Sequence, residues 1–266
     1  MAMNPEKPFA VVTGASSGIG YELAVQFAEH GYDLLVVAED GGIADAAQRL
    51  SSRGVEVQSL RADLASYDGV ETLYNRINSS GRALDAIAVN AGVGVSGPFG
   101  ESDLMAQMNL INLNVVSPVH LTHRILKDML ARRAGRILYT SSIAATMPGP
   151  FEATYNASKA FLKSFAEAIR NEVKDSGVTI TILMPGATET NFFHRAGADD
   201  TKIGTSEKDD PAEVAREGFD ALMNGKDHVV AGSFKNKVQA TLAHVLPDPV
   251  AAQMHRGQAE PGSADK

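Results

Sequence analysis

The stretch Thr13-Gly14-Ala15-Ser16-Ser17-Gly18-Ile19-Gly20 closes the apolar, β-branched run Phe9 to Thr13 and opens a segment of helical period, 18 to 30. Glycines between a strand and a helix permit a tight turn, let backbone N–H groups approach a pyrophosphate, and bring helix and strand close together. The helix N-terminus then favours the negative charge. This context, more than the glycines alone, makes Gly14, Gly18 and Gly20 candidate dinucleotide-binding residues, with Ser16, Ser17 and Ile19 beside them. The bland reading is a glycine-rich βα turn that holds nothing.

Outward from the loop, short apolar runs alternate with longer segments of helical period, the pattern of βαβ units that build a parallel sheet. Strands are predicted at Phe9 to Thr13, Asp33 to Ala38, Val55 to Leu60, Leu84 to Asn90, Gly135 to Ser141, Val178 to Met184 and His228 to Ala231. Most are continuously apolar, as strands buried on both faces should be. Helices are predicted near 18–30, 42–53, 67–79, 101–133 with one break, 152–175 and 211–224. Gly31 and Gly177 fall where helices should stop, and Asp210-Pro211 supplies a cap followed by a first-turn proline. The expected architecture is α/β: a single-domain Rossmann fold with a doubly wound, mostly parallel seven-stranded sheet and helices on both faces. The domain should span 1–246. Glu189 to Asp209 reads as a flexible lid or substrate loop, and Pro247 to Lys266 as a frayed tail.

Bulk properties narrow the function. The 266 residues are 44% apolar and 21% charged, an ordinary globular composition. A formal charge of −8 without clustered Lys and Arg argues against nucleic acid. With no cysteine, disulfides, thiolate nucleophiles and Cys-ligated metals are excluded, and no metal is expected. No run of eighteen apolar residues suggests a membrane span, and the polar Met1 to Pro8 leaves no room for a signal peptide, so a cytoplasmic location is expected.

Further motifs follow in order, each at or just after the C-terminal end of a predicted strand or in a following helix. They are Asp63-Leu64, Asn90-Ala91-Gly92, Asn114, Ser142, Tyr155 with Lys159, and Pro185-Gly186. That edge is where open α/β sheets bind ligands. Tyr155 and Lys159 stand four apart in a helical segment, so both leave one face. An ammonium beside a phenol stabilises the phenolate, and a tyrosine needs that help to exchange protons near neutrality. Alone, such a pair is most often a surface pair.

With Thr-Gly-x-x-x-Gly-x-Gly ahead of it, the set resembles the short-chain dehydrogenases/reductases from Phe9 to about Gly232. The resemblance implies an oxidoreductase that transfers a hydride between a nicotinamide cofactor and a secondary alcohol or ketone. Tyr155 would then act as general acid/base, Ser142 would hold the substrate oxygen, Lys159 would bond the nicotinamide ribose, and Asn114 would support a water beside the lysine. Ser141 is a rival to Ser142 that reads better as strand, and Asn112 is a rival to Asn114. Asp63, with the cofactor-binding candidate Leu64 beside it, would meet the adenine, and Asn90, Ala91 and Gly92 would border its ribose. In the cofactor-binding segment opened by Pro185 and Gly186, the Ala187 backbone and Thr190 would meet the carboxamide, with Thr188 a near-equal rival for part of that contact. For Asp63 and Thr190 the bland alternative is a turn or cap residue.

Cofactor choice turns on Ala38-Glu39-Asp40 at the end of strand two, where many NADP-using relatives carry arginines. Glu39 or Asp40 can accept from a ribose 2′-hydroxyl and would repel a 2′-phosphate. NAD is therefore favoured, although the usual aspartate position aligns with Ala38 and Arg61 could approach from the next strand; NADP is the alternative. Substrate walls are expected from Val93 to Pro98, from Ile143 to Phe151, with Met147, Pro148 and Phe151, and from Asn191 to Ile203, with Phe192, Phe193 and His194. They imply a partly apolar alcohol or carbonyl compound. His194 is expected to pack or face water. Relatives often pair through helices matching 101–133 and 152–175, so a homodimer or homotetramer is implied. The functional alternative is a catalytically idle NAD(P)-binding sensor or scaffold on the same fold.

Overall fold

The computed structural model describes residues 7–234, 236–238 and 246–264. Seven strands form one sheet: β1 Phe9–Thr13, β2 Asp33–Ala38, β3 Val57–Arg61, β4 Ala86–Val89, β5 Gly135–Thr140, β6 Val178–Pro185 and β7 His228–Ala231. Their order is β3-β2-β1-β4-β5-β6-β7, and every pairing is parallel. The chain steps outward from β1 to β3, then returns to place β4 on the other side of β1. The reversal opens a crevice at the carboxyl ends of β1 and β4.

The helices are α1 Gly18–Glu29, α2 Gly42–Ser51, α3 Tyr67–Ser79, α4 Leu104–Ile111, α5 Ser117–Arg132, α6 Ala153–Glu172, the single turns α7 Phe192–Arg195 and α8 Lys202–Thr205, then α9 Pro211–Met223 and α10 Asp248–Ala259. Because the strands are apolar on both sides, each face of the sheet carries its own core. Leu23, Phe27, Leu50 and Phe219 pack on one face, and Leu73, Leu121, Ile125 and Leu162 on the other. Phe27 and Phe219 meet edge to face at 5.1 Å and join α1 to α9.

The predicted strands at 9–13, 33–38 and 228–231 have the observed bounds. Strand three begins at Val57 rather than Val55, and strand four is confined to Ala86–Val89. The expected break in the helix at 101–133 is a π-turn over Asn112–Val116 between α4 and α5. Pro118, without an N–H, weakens the regular ladder there.

The C-terminal expectation is corrected. Instead of a frayed tail from Pro247, residues 248–259 form α10, which buries Ala251, His255 and Ala259. Ser263 and Ala264 then bond to the 189–209 segment, through Ser263 Oγ with Lys202 N (2.9 Å) and Ala264 N with Asp200 O (3.1 Å). The apolar spacing is too sparse to announce this helix; its burial depends on a loop distant in sequence. The 189–209 segment is likewise stitched at its base, with Glu189 N donating to Asp209 O at 2.9 Å and Asp209 N to Ala187 O at 2.8 Å. No helix among the described residues is long and apolar enough to cross a membrane.

Candidate active site

At the crevice between β1 and β4, Gly14 and Gly18 take left-handed backbones, φ +67° and +57°, which residues with a Cβ rarely adopt. A side chain at Gly14 would stand 2.9 Å from the Ala91 Cα, and one at Gly20 would collide with the Gly14 carbonyl. The loop is tied to β4 through Thr13, whose Oγ1 accepts from Asn90 N and Ala91 N at 2.9 and 3.0 Å, while Asn90 Nδ2 donates to Thr13 O. Ser17, the N-cap of α1, makes no side-chain cap bond, and the first turn carries no acidic residue. Uncapped N–H groups at the head of a twelve-residue helix, behind glycines that admit close approach, fit a pyrophosphate.

One cavity is lined by the glycine loop, Ser16, Ser17, Ile19, Glu39, Asp63, Leu64, Asn90, Ala91 and Gly92 at one end. At the other end stand Ser142, Tyr155, Lys159, Pro185, Gly186, Ala187, Thr188 and Thr190. Asn114 lies behind this wall, buried. Its Oδ1 accepts from Val93 N (3.0 Å), and its Nδ2 donates to Val93 O (2.9 Å) and Ser158 Oγ (3.1 Å). It pins the strand-four loop to α6 from the π-turn.

The two candidate serines separate. Ser141 Oγ donates to the Lys159 carbonyl (2.9 Å), whereas Ser142 Oγ accepts from Ala144 N (3.1 Å) and lines the cavity beside Tyr155. Burial pushes the Tyr155 phenol above its ordinary range, Glu152 adds to the rise by charge repulsion, and the Ser142 hydroxyl opposes both. Burial lowers Lys159 to about 8. Its Nζ donates to Thr140 O at 2.9 Å and lies 5.7 Å from the Tyr155 ring centre. The Phe192 ring stands 5.2 Å from that of Tyr155 and walls the same space. His194 points outward and pairs with Asp199.

At the ribose end, Glu39 is exposed and its carbonyl accepts from Arg61 Nε at 2.8 Å. Asp40 is committed within the protein: Oδ2 accepts from Ser16 Oγ (2.8 Å) and Oδ1 from Gly42 N (2.9 Å). Asp63 likewise accepts from Ala65 N (2.9 Å) in the turn that leads to α3, the local role its residue type allows. Thr188 is buried and donates to Gly186 O. Thr190 lies where a Gly18 Cβ would reach its methyl group.

Sequence reasoning missed Glu152 and His255, both of which line this cavity, and the Asp209–Asn236 bolt. Asn236 Nδ2 donates to Asp209 Oδ2 (2.6 Å) and packs where a side chain at Gly186 would stand. Only the proximity of Glu152 to Tyr155 could have signalled any of these; the other partners are remote along the chain.

Residues 8–201 match the family model for short chain dehydrogenase. The chain is 30% identical over 226 residues to 3-oxoacyl-(acyl-carrier-protein) reductase FabG of Vibrio harveyi, covering 80% of this chain and 88% of that one. It is 32% identical over 189 residues to the uncharacterized oxidoreductase YmfI of Bacillus subtilis, covering 70% of this chain and 77% of that one. Among solved structures it resembles a short-chain dehydrogenase from Sphingobium yanoikuyae in complex with NADPH. There the TM-score is 0.77 and the identity 28%, over 84% of this chain and 87% of that one. The chain therefore belongs to the short-chain dehydrogenase/reductase family of oxidoreductases.

Proposed function

We propose that the protein interconverts a secondary alcohol and a ketone, with Tyr155 as the group that moves the hydroxyl proton and NAD as the preferred cofactor. One observation carries the reading: Ser142, Tyr155 and Lys159 line the same cavity as the glycine loop. When bound, the oxidised nicotinamide supplies a hydride acceptor and a positive charge that favours phenolate.

The chain's own groups do the rest. Ser142 orients the substrate oxygen and stabilises charge developing on it. Tyr155 Oη takes the proton in oxidation and returns it in reduction. Lys159 holds the ribose hydroxyls and adds its charge to the phenol's surroundings, while Asn114 fixes the segments on either side. Phe192 and Met147 supply apolar walls that exclude water from the reacting carbon.

The preference for NAD rests on the exposed carboxylate of Glu39 at the corner where the adenosine ribose would lie, beside the fixed Asp40. Arg61 supports the NADP alternative, because β3 pairs with β2 in a register that sets it beside Ala38 and its Nε reaches Glu39 O.

The test has two parts. Six tyrosines without tryptophan allow NADH and NADPH affinities to be read from quenched tyrosine emission. NADH should bind more tightly; tighter NADPH binding reverses the choice of cofactor. Tyr155→Phe should retain NADH affinity and lose about 10³-fold in turnover on ketones. Near wild-type turnover in that variant refutes the assignment.

A further inference from the structure

A second cavity, of roughly 450 Å³, lies beside the active-site cavity. Ile143, Met147, Ala187 and Ile203 line both. Ile143 directly follows Ser142, and Ala187 directly follows Gly186, so the shared wall begins one residue from the groups placed at the reacting end. Its far side is built by elements with no part in the proposed chemistry, among them α10 through Ala251 and Met254.

Polar residues also border the second cavity, but the buried ones are matched within the protein. Asn236 Nδ2 donates to Asp209 Oδ2 (2.6 Å) and to Ala231 O (3.0 Å), and Asp209 Oδ1 accepts from Ser233 N at 2.9 Å. His255 faces Glu152 at 3.2 Å in an ion pair. Glu207, Ser233 and Gln258 are exposed and reach water. Among the described residues, the surface left to meet a ligand is therefore mostly that of Ile143, Met147, Ile203, Val238, Ala251 and Met254.

This surface is not sealed within the core. Val238 and Met254 line the cavity and yet remain 40% and 48% exposed. Apolar side chains around an open concavity are stabilised when an apolar ligand displaces water from them. Met147 at the shared wall and Met254 on α10 are unbranched, so they can follow the contour of a flexible chain. Because the two spaces share four apolar side chains, one molecule can lie across both.

We propose that the second cavity takes the apolar arm of the substrate. The substrate is then a secondary alcohol or ketone whose extended hydrocarbon chain passes Ile143, Met147 and Ile203 toward α10. This rests on the proposed function only in placing the reacting carbon at Tyr155. The arm needs no charge or hydroxyl along its length, since the buried polar groups around it are already paired. Selection is by length, and each methylene that leaves water improves binding about twofold to fourfold.

The test uses straight-chain methyl ketones from butanone to undecanone with the full-length protein. Turnover is measured as kcat/KM with NADH, and binding is followed by calorimetry on Tyr155→Phe with NADH, which should not consume the ketone. Both quantities should climb with chain length, by about 100-fold or more from one end of the series to the other. Ala251→Phe fills the cavity from α10, and Met254→Glu sets a charge in its wall. Each should cut the ratio of undecanone to butanone by about 10-fold or more, with NADH affinity reporting whether the variant is folded.

A series that is flat with length overturns the proposal, as does a ratio that survives both substitutions in variants that bind NADH normally. Undecanone that binds without displacing hexanone also overturns it, because the second cavity would then be a separate ligand site. Tyr155→Phe keeps the two readings apart: turnover that survives there counts against the catalytic assignment alone, whatever the dependence on chain length.

Discussion

Tyr155 sits where burial and the Glu152 charge both favour its neutral form, and only the Ser142 hydroxyl opposes them. A raised acid releases its proton only at higher pH, so the phenolate needed for alcohol oxidation grows as pH rises. Initial oxidation rates should therefore increase with pH from neutrality upward, whereas ketone reduction, which needs the phenol, should stay level over that range. Ser142→Ala removes the opposing hydroxyl and should carry the limb to higher pH; Glu152→Gln should carry it lower. An oxidation rate that declines with pH over that range would place the proton elsewhere. Lys159 shows the complementary cost. Its ammonium is held near 8 by burial against an ordinary 10.5, so between those values the unfolded chain binds more protons and stability rises with pH. Lys159→Met should accordingly be more stable than the parent at neutral pH, by up to about 3 kcal/mol. In denaturant titrations the advantage should vanish as pH rises from about 8 to 10.5. Tyr155 and Lys159 were legible as a pair because they stand one helical turn apart, whereas Ser142 was reached only through the family resemblance. Its separation from Ser141 was not legible, because both border the same strand end and only the approach of α6, whose Lys159 carbonyl takes the Ser141 hydroxyl, tells them apart.

At the level of elements, the turn between β1 and α1 depends on atoms brought from β4 and from the segment after β6. Gly20 allows α1 to start against the Gly14 carbonyl and Asn90. Gly20→Ala must displace one of them, and overpacking of this kind should weaken NADH binding about 10- to 100-fold in the tyrosine-emission titration. Unchanged affinity would mean that the loop does not hold the cofactor. Strands β1, β2 and β7 could be bounded from sequence because each is a short apolar run, opened by Asp33 in β2 and His228 in β7, between turn residues. The start of β3 could not, since Val55 continues the apolar pattern although pairing with β2 begins at Val57. The Asp40–Ser16 bond has no local signature, and it changes the reading of the ribose corner: of two adjacent carboxylates, only Glu39 is left exposed to meet a ligand.

On the scale of the whole molecule, Leu104 and Met105 on α4, Val116 in the π-turn and Phe161 on α6 stand exposed. Large exposed apolar side chains on neighbouring elements are a common mark of an association surface. We expect this face to join copies of the chain into the dimer or tetramer that the family resemblance implied. Phe161→Glu, which puts a charge there, should reduce the mass seen by light scattering to that of one chain while NADH binding persists. A wild-type protein that is already monomeric would remove this role from the face.

The sequence by itself determined the architecture, the glycine turn and the Tyr155–Lys159 pair. These depend on periodicity, turn chemistry and neighbours one helical turn apart, all of them local. Tertiary structure alone decided that α10 forms and that His255 meets Glu152 at the cavity wall. It also decided that Asp209 and Asn236 lock the segment after β6. Those contacts join residues far apart in the chain, so they exist only once the sheet has brought its carboxyl edge and the C-terminal helix together.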